Sequence, residues 1–120
     1  MSKPLVMYII VNNDLQMGKG KIASQVGHVV QDIVEDIIIK KYESKKTLGI
    51  CSDYNTWKSE GCKKIVLKAT NAELMKLLTL DLAHYIVDAG KTQIEPGSLT
   101  VVGFPPMRTM DEHMKQFKLL

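Results

Sequence analysis

The sequence has little cysteine and no long apolar run. Its two cysteines, Cys51 and Cys62, form neither a CxxC pair nor a set with histidine at metal-binding spacing. We therefore expect free thiols in a reducing compartment and no bound metal. No apolar segment approaches the roughly 20 residues that a transmembrane helix needs. The N-terminal apolar run is followed by Asn-Asn-Asp, not by a cleavage site, so we expect a cytoplasmic protein without a membrane partner.

A strong charge of one sign is also lacking. The 120 residues carry 16 Lys or Arg and 13 Asp or Glu, which gives a net charge of +3. Dedicated nucleic-acid-binding domains are usually more basic, so this balance permits a polyanionic partner without requiring one. Neither the Walker A pattern nor the Rossmann glycine pattern occurs. A nucleotide-binding enzyme built on the GKGK turn at residues 18–21 is therefore disfavoured.

The hydrophobic pattern predicts an α/β fold. Residues 5–11, LVMYIIV, form a short branched apolar run that is typical of a strand covered on both faces. From Ile22 to about Tyr42, apolar residues recur at helical spacing. The other predicted elements are a short helix or loop at 48–62 around a packed Trp57, strands at 63–69, 85–90 and 99–104, a three-turn helix capped by Thr70 or Asn71, and one helical turn with an apolar end at 110–120. This order indicates one α/β domain over residues 1–120 with a four-stranded, mostly buried sheet.

Two lysines stand where the first helix should begin. Lys19 and Lys21 lie at the positive end of the helix dipole, where cations are unfavourable. Lys21, Gln25, His28 and Asp32 follow at spacings of four, three and four, so they share one stripe of the helix. Spacing alone favours a solvated polar face, because the stripe points away from the apolar residues. The alternative is an anion site made by the two cations and the free backbone N–H groups of the helix start.

A second polar segment, DAGKTQIEPGS, follows the third predicted strand at residues 88–98. Asp88 falls beyond the carboxyl end of that strand, where ligand sites of open α/β sheets gather. Thr92 and Gln93 add a hydroxyl and an amide, and EPGS predicts a type II turn. The alternative is a plain hairpin connection that ends the strand. Taken alone, the segment supports both interpretations equally.

Taken together, the two segments resemble a known family. NDLQMGKGKIASQVGH (residues 13–28) and DAGKTQIEPGSLTVVGF (residues 88–104) are similar to the two signature regions of the type 2 peptidyl-tRNA hydrolases, the archaeal and eukaryotic class. The similarity extends through the strand at 63–69 and the C-terminal KLL, leaving out about residues 43–60. The resemblance implies a small three-layer α/β sandwich, which is often a homodimer. With the predicted order of elements, we expect a single-domain three-layer α/β/α sandwich with a four-stranded mixed sheet. The resemblance further implies hydrolysis of the ester between a peptide and the terminal ribose of tRNA.

The resemblance also implies which residues form the site. Lys19 and Lys21 match the paired lysines of the family, and Gln25 and His28 match its polar helix positions. The matching positions of the second signature are Asp88, Thr92, Gln93, Ser98 and Thr100. The chain departs from the family at Gly27, where serine is common, at Lys91, where arginine is common, and in the turn Phe104-Pro105-Pro106.

For an ester substrate, the residues suggest a division of labour. Asp88 and His28 are expected to position and deprotonate a water molecule, while one of the two lysines stabilises the oxyanion and the other contacts phosphate. In an alternative, Asp88 only orients Lys21 and His28 is the base. The residues expected to bind the substrate are Gln25, Thr92, Gln93, Ser98 and Thr100. We expect the reaction to need neither a metal nor a cofactor. The rival to this enzyme is a non-catalytic adaptor of the same fold that binds RNA or protein.

Overall fold

A computed structural model describes residues 3–43, 48–89 and 97–120, with the side chains of 41–43 and 48–51 outside that description. The elements, in chain order, are β1 Met7–Asn12, a 3-10 turn Asn13–Leu15, α1 Lys19–Glu43, α2 Leu48–Ser59, β2 Lys64–Ala69, α3 Asn71–Leu77, β3 His84–Val87, β4 Leu99–Gly103, α4 Asp111–Met114 and β5 Lys118–Leu119. The α/β class is confirmed, and the predicted elements follow one another in the predicted order up to α4.

The sheet has five strands in the order β3-β4-β1-β2-β5, so the expectation of four strands was wrong. The additional strand, β5, comes from the C-terminal tail and pairs antiparallel with β2. Since β1 and β2 are parallel whereas β4 is antiparallel to both β1 and β3, the sheet is mixed, as expected. A strand of two residues is too short to show an alternating pattern, which is why the sequence did not reveal β5.

β1 is buried along its whole length because helices cover both of its faces. Tyr8 and Ile10 belong to one hydrophobic cluster, which also contains the α3 residue Leu74. Ile9 and its neighbours on the opposite face belong to a second cluster, which contains Ile33 of α1. The buried Trp57 of α2 joins that second cluster, and its indole N–H donates to the carbonyl of Lys63 at 2.8 Å, so its predicted packing role is confirmed.

A glycine lets α1 lie close to β4. A Cβ atom at Gly103 would lie 3.0 Å from Cδ1 of Ile33 and 3.1 Å from Cγ2 of Val29, closer than a side chain normally packs. The absence of a side chain at this position therefore fixes how near α1 approaches the sheet. This contact orients the helix whose first turn carries Lys19 and Lys21.

α3 begins with the predicted cap. The N–H of Glu73 donates to Oγ1 of Thr70 at 3.2 Å, and the N–H of Thr70 donates back to Oε1 of Glu73 at 2.9 Å. The helix is seven residues long, about two turns and not the three expected. The Thr79 hydroxyl donates to the carbonyl of Lys76 at 2.7 Å and satisfies one acceptor of the last turn. No helix within residues 3–43, 48–89 and 97–120 is long and apolar enough to cross a membrane.

Candidate active site

The end of β1 is fixed by a buried asparagine. The amide of Asn12 donates to the carbonyl of Leu99 at 2.8 Å and to Oδ1 of Asn71 at 2.9 Å. Its Oδ1 atom accepts the N–H of Asp14, whose carboxylate in turn accepts the N–H of Asn71 at 2.8 Å. These bonds hold the connection to α1 against the starts of α3 and β4. Sequence reasoning did not single out Asn12, although a polar residue that directly ends a buried strand was a signal for such a role.

The first turn of α1 is open to solvent and carries no acidic residue. The first bond of the helical type runs from the N–H of Ile22 to the carbonyl of Gly18 at 2.9 Å, so the preceding N–H groups have no partner inside the helix. Gly18 and Gly20 face open space, and Lys19 is exposed. The helix start therefore presents backbone donors and an ammonium group together, which is the arrangement that binds anions.

Lys21 and Asp88 form the best-buried ion pair of the described part of the chain. Nζ of Lys21 contacts Oδ1 of Asp88, and the two side chains are 18% and 3% exposed. The N–H of Asp88 donates to the carbonyl of Ser98 at 2.9 Å, and the carbonyl of Asp88 accepts the N–H of Gly97 at 3.0 Å, so backbone bonds hold the carboxylate in place. A cation fixed in this way at a helix start can stabilise negative charge that develops on a substrate.

One turn further along α1, Gln25 contacts β4. The hydroxyl of Thr100 lies 2.7 Å from Oε1 of Gln25 and 3.1 Å from the carbonyl of Ile86. Both Gln25 and Thr100 are buried. The idea of a solvated polar face is therefore wrong for Lys21 and Gln25. The reason is that α1 packs on β3 and β4 through both its apolar stripe and this polar stripe. The polar side chains find partners there, Asp88 for Lys21 and Thr100 for Gln25.

The rest of the stripe divides between two directions. His28 is exposed and lies 3.4 Å from the hydroxyl of Ser24, about 10 Å along the helix from Lys21. Asp32 instead turns to the sheet, where its carboxylate lies 2.9 Å from Nδ1 of His84. Asp36 lies 3.5 Å from the other ring nitrogen of His84. His84 thus joins β3 to α1.

The structure brings together only some of the expected site residues. It joins Lys21 to Asp88 and Gln25 to Thr100, and it places Lys19 at the exposed helix start. Ser98 holds the backbone of Asp88. Thr92 and Gln93 lie in the segment 90–96, outside the described residues. Cys62 has a free thiol, as expected.

Comparisons with known proteins all give matches to proteins named peptidyl-tRNA hydrolase. The sequence pattern of the family described as Peptidyl-tRNA hydrolase PTH2 matches residues 5–120. The chain is 41% identical over 122 residues to a protein of Sulfurisphaera tokodaii named peptidyl-tRNA hydrolase, covering 95% of this chain and 97% of that relative. A protein of the same name from Sulfolobus acidocaldarius is 44% identical over 108 residues, covering 83% of this chain and 85% of the relative. Another, from Saccharolobus islandicus, is 39% identical over 106 residues, with coverage of 83% and 84%.

Proposed function

The chain belongs to the peptidyl-tRNA hydrolase PTH2 family, and on that premise we propose that it hydrolyses the ester between a peptide and the terminal ribose of tRNA. The products are a free peptide and a tRNA that can re-enter translation. The observation that carries the assignment of the site is the contact between Lys21 and Asp88 beside the open start of α1.

Ester hydrolysis needs stabilisation of an oxyanion. When water adds to the ester carbonyl, negative charge develops on the carbonyl oxygen. The ammonium of Lys21 and the N–H groups of the first turn of α1, which have no partner inside the helix, would donate to this oxygen. Part of the water is already excluded from this place. Asp88 keeps Lys21 in position, since a carboxylate that is 3% exposed and held by backbone bonds cannot follow the lysine into solvent.

The attacking water must lose a proton. Asp88 is the proposed acceptor, because it is the carboxylate beside the cation that binds the oxyanion. The water oxygen forms the new bond to the carbonyl carbon, and the tetrahedral intermediate then releases the ribose oxygen. That leaving oxygen takes up the proton held by Asp88 and becomes the ribose hydroxyl. No covalent acyl-enzyme is formed.

The other predicted residues take supporting roles in this proposal. Lys19, exposed at the helix start, would contact a phosphate of the tRNA end. Gln25 and Thr100 hold α1 on the strands and so set the position of Lys21. Because His28 is exposed and two turns from Lys21, we assign it to contact with the ribose or phosphate and not to deprotonation of the water. Thr92, Gln93 and Ser98 stay predicted substrate-binding residues.

Four broader expectations also stay proposals. The three-layer α/β/α order is supported by the two hydrophobic clusters, one on each face of the sheet, to which α1 and α3 contribute. The homodimer and the cytoplasmic compartment rest on the family resemblance and on the sequence composition. So does the assignment of residues 1–120 to one domain, of which residues 5–120 match the family.

The test is incubation with an N-acetyl-aminoacyl-tRNA while release of the N-acetyl amino acid is followed. We expect turnover by the wild type and a loss of about 100-fold or more in Lys21→Met, which keeps the length of the side chain without its charge. A well-folded wild type that binds the tRNA but releases no amino acid would contradict the proposal and support the adaptor.

A further inference from the structure

Two lysines face each other at the edge of the sheet, away from the candidate active site. Lys68 of β2 and Lys118 of β5 are directly opposite in the antiparallel register. Side chains at such positions lie on the same face of the sheet, with Cβ atoms about 5 Å apart, and like charges there are destabilising. The pairing of these two cations is therefore expected to destabilise the fold, so stability does not explain why β5 carries a lysine at this position.

Neither lysine has an acidic partner within the described residues. Other lysines there have partners: Lys115 pairs with Glu112 at 2.9 Å, and the ammonium of Lys64 lies 5.1 Å from the centre of the Trp57 ring. For Lys68 and Lys118 no salt bridge or ring contact occurs among residues 3–43, 48–89 and 97–120. Two neighbouring cations without a counter-ion are a ready site for a polyanion.

The two lysines lie at the same end of the sheet as the candidate active site at Lys19 and Lys21. Lys68 is level with Val11 near the carboxyl end of β1, which is the end of the sheet from which the chain leads into α1. Both lysines line a cavity of about 230 Å³, together with polar residues such as Thr70 and Gln116 and with the apolar Phe117. Glu73, which also lines the cavity, is engaged in the cap of α3. Three or four strand spacings separate the pair from β3, a distance of roughly 14 to 19 Å.

We propose that Lys68 and Lys118 bind successive phosphates of the acceptor stem of the tRNA, while its terminal ribose occupies the site at Lys21 and Asp88. The inference rests on the proposed function. At a helical rise of about 3.4 Å for each stacked nucleotide, the separation corresponds to about four to six nucleotides. A contact at this distance falls beyond the last three nucleotides, where the chain enters the stem, and not on the reacting end. Cations that touch only phosphate position the substrate without reading its sequence.

The test compares two substrates and two variants. One substrate is an N-acetyl-aminoacyl-tRNA, and the other carries the same group on the trinucleotide CCA, which lacks the stem. The variant is the double substitution Lys68→Gln and Lys118→Gln. The matched control is Lys76→Gln, which removes an exposed lysine of α3 that has no ion pair among the described residues.

For the double variant we expect kcat/KM on the tRNA to fall about tenfold through KM, with kcat unchanged. The slope of log(kcat/KM) against log salt should become shallower by about 1.5 to 2. On the trinucleotide the variant should match the wild type within about twofold, and its Tm should not be lower, because a repulsion is removed. Lys76→Gln should leave the salt slope unchanged.

Two results would overturn the inference while leaving the proposed function in place. One is an unchanged KM and salt slope on the tRNA. The other is an equal loss on both substrates, which would show an effect on the active site itself. If the wild type hydrolyses neither substrate, the proposed function fails and the inference fails with it.

Discussion

Lys21 and Asp88 are 67 positions apart in the chain, yet the ammonium of one contacts the carboxylate of the other. The contact joins the first turn of α1 to the residue that follows β3. It is better buried than the ion pair of Lys3 with Asp111, whose side chains are 56% and 32% exposed. An exposed pair contributes little to stability, whereas loss of one partner from a buried pair leaves an uncompensated charge. The two residues are therefore expected to act as one unit.

Lys19 should show a conflict between stability and function. Its ammonium lies at the positive end of the α1 dipole and has no acidic residue in the same turn. We expect Lys19→Gln to raise the free energy of unfolding by about 0.3 to 1 kcal/mol, measured by urea denaturation at low salt. The same variant should raise KM for N-acetyl-aminoacyl-tRNA. A less stable variant with an unchanged KM would contradict both parts.

The hydroxyl of Thr100 should matter more than its methyl group. Thr100→Val keeps the shape but leaves the buried Oε1 of Gln25 without its donor, which costs about 1 to 3 kcal/mol of stability. Because Gln25 lies one turn after Lys21, kcat should also fall. Thr100→Ser, which retains the hydroxyl, is the control and should keep most of the activity. Equal losses in the two variants would show that packing, and not the hydrogen bond, is responsible.

His28 should affect binding more than the chemical step. Since its ring is exposed and about 10 Å along α1 from Lys21, we expect His28→Ala to lower kcat/KM less than about tenfold, mainly through KM. Loss of a general base costs about 100-fold or more in kcat. Single-turnover and steady-state rates on N-acetyl-aminoacyl-tRNA check the assignment. A loss of that size in kcat would make His28 the base.

Gly103 should resist replacement for a steric reason. Gly103→Ala places a Cβ atom 3.0 Å from Cδ1 of Ile33, and overpacking of this kind costs about 1 to 3 kcal/mol. Ile33→Val removes that δ-carbon, so the double variant should recover stability relative to Gly103→Ala alone. Urea denaturation measures both effects.

Gly27→Ala is the matched control for Gly103→Ala. Position 27 lies inside α1 with no atom within 4 Å of an added Cβ, so alanine should stabilise there by about 0.5 to 1 kcal/mol. If Gly103→Ala were equally stabilising, α1 would have to lie farther from β4 than the structure shows.

Much of this fold could be predicted because its signals are local. The apolar run of β1, the helical spacing of α1 and the cap at Thr70 each depend on a few neighbouring residues, and each element is found. The nearness of Asp88 to the start of α1 could be expected as well, since both follow strand ends.

The features that could not be predicted depend on tertiary contacts. β5 is a strand only because it pairs with the free edge of β2. The sequence alone would place Gln25 on the surface, but in the fold its Oε1 atom accepts the hydroxyl of Thr100 on β4. The sequence likewise shows no partner for His84, which in the fold lies beside Asp32 of α1. In each case the partner is at least 50 positions away in the chain, where periodicity carries no information.

The central claim is that Lys21 and Asp88 form one catalytic unit. The most direct test is the single-turnover rate of N-acetyl-aminoacyl-tRNA hydrolysis by the wild type, Lys21→Met, Asp88→Asn and the double variant, each shown to be folded by circular dichroism. We predict that each single variant loses about 100-fold or more and that the double variant is no more than a few-fold slower than the slower single. Losses that multiply in the double variant, or single variants that stay within about tenfold of the wild type, would contradict the claim.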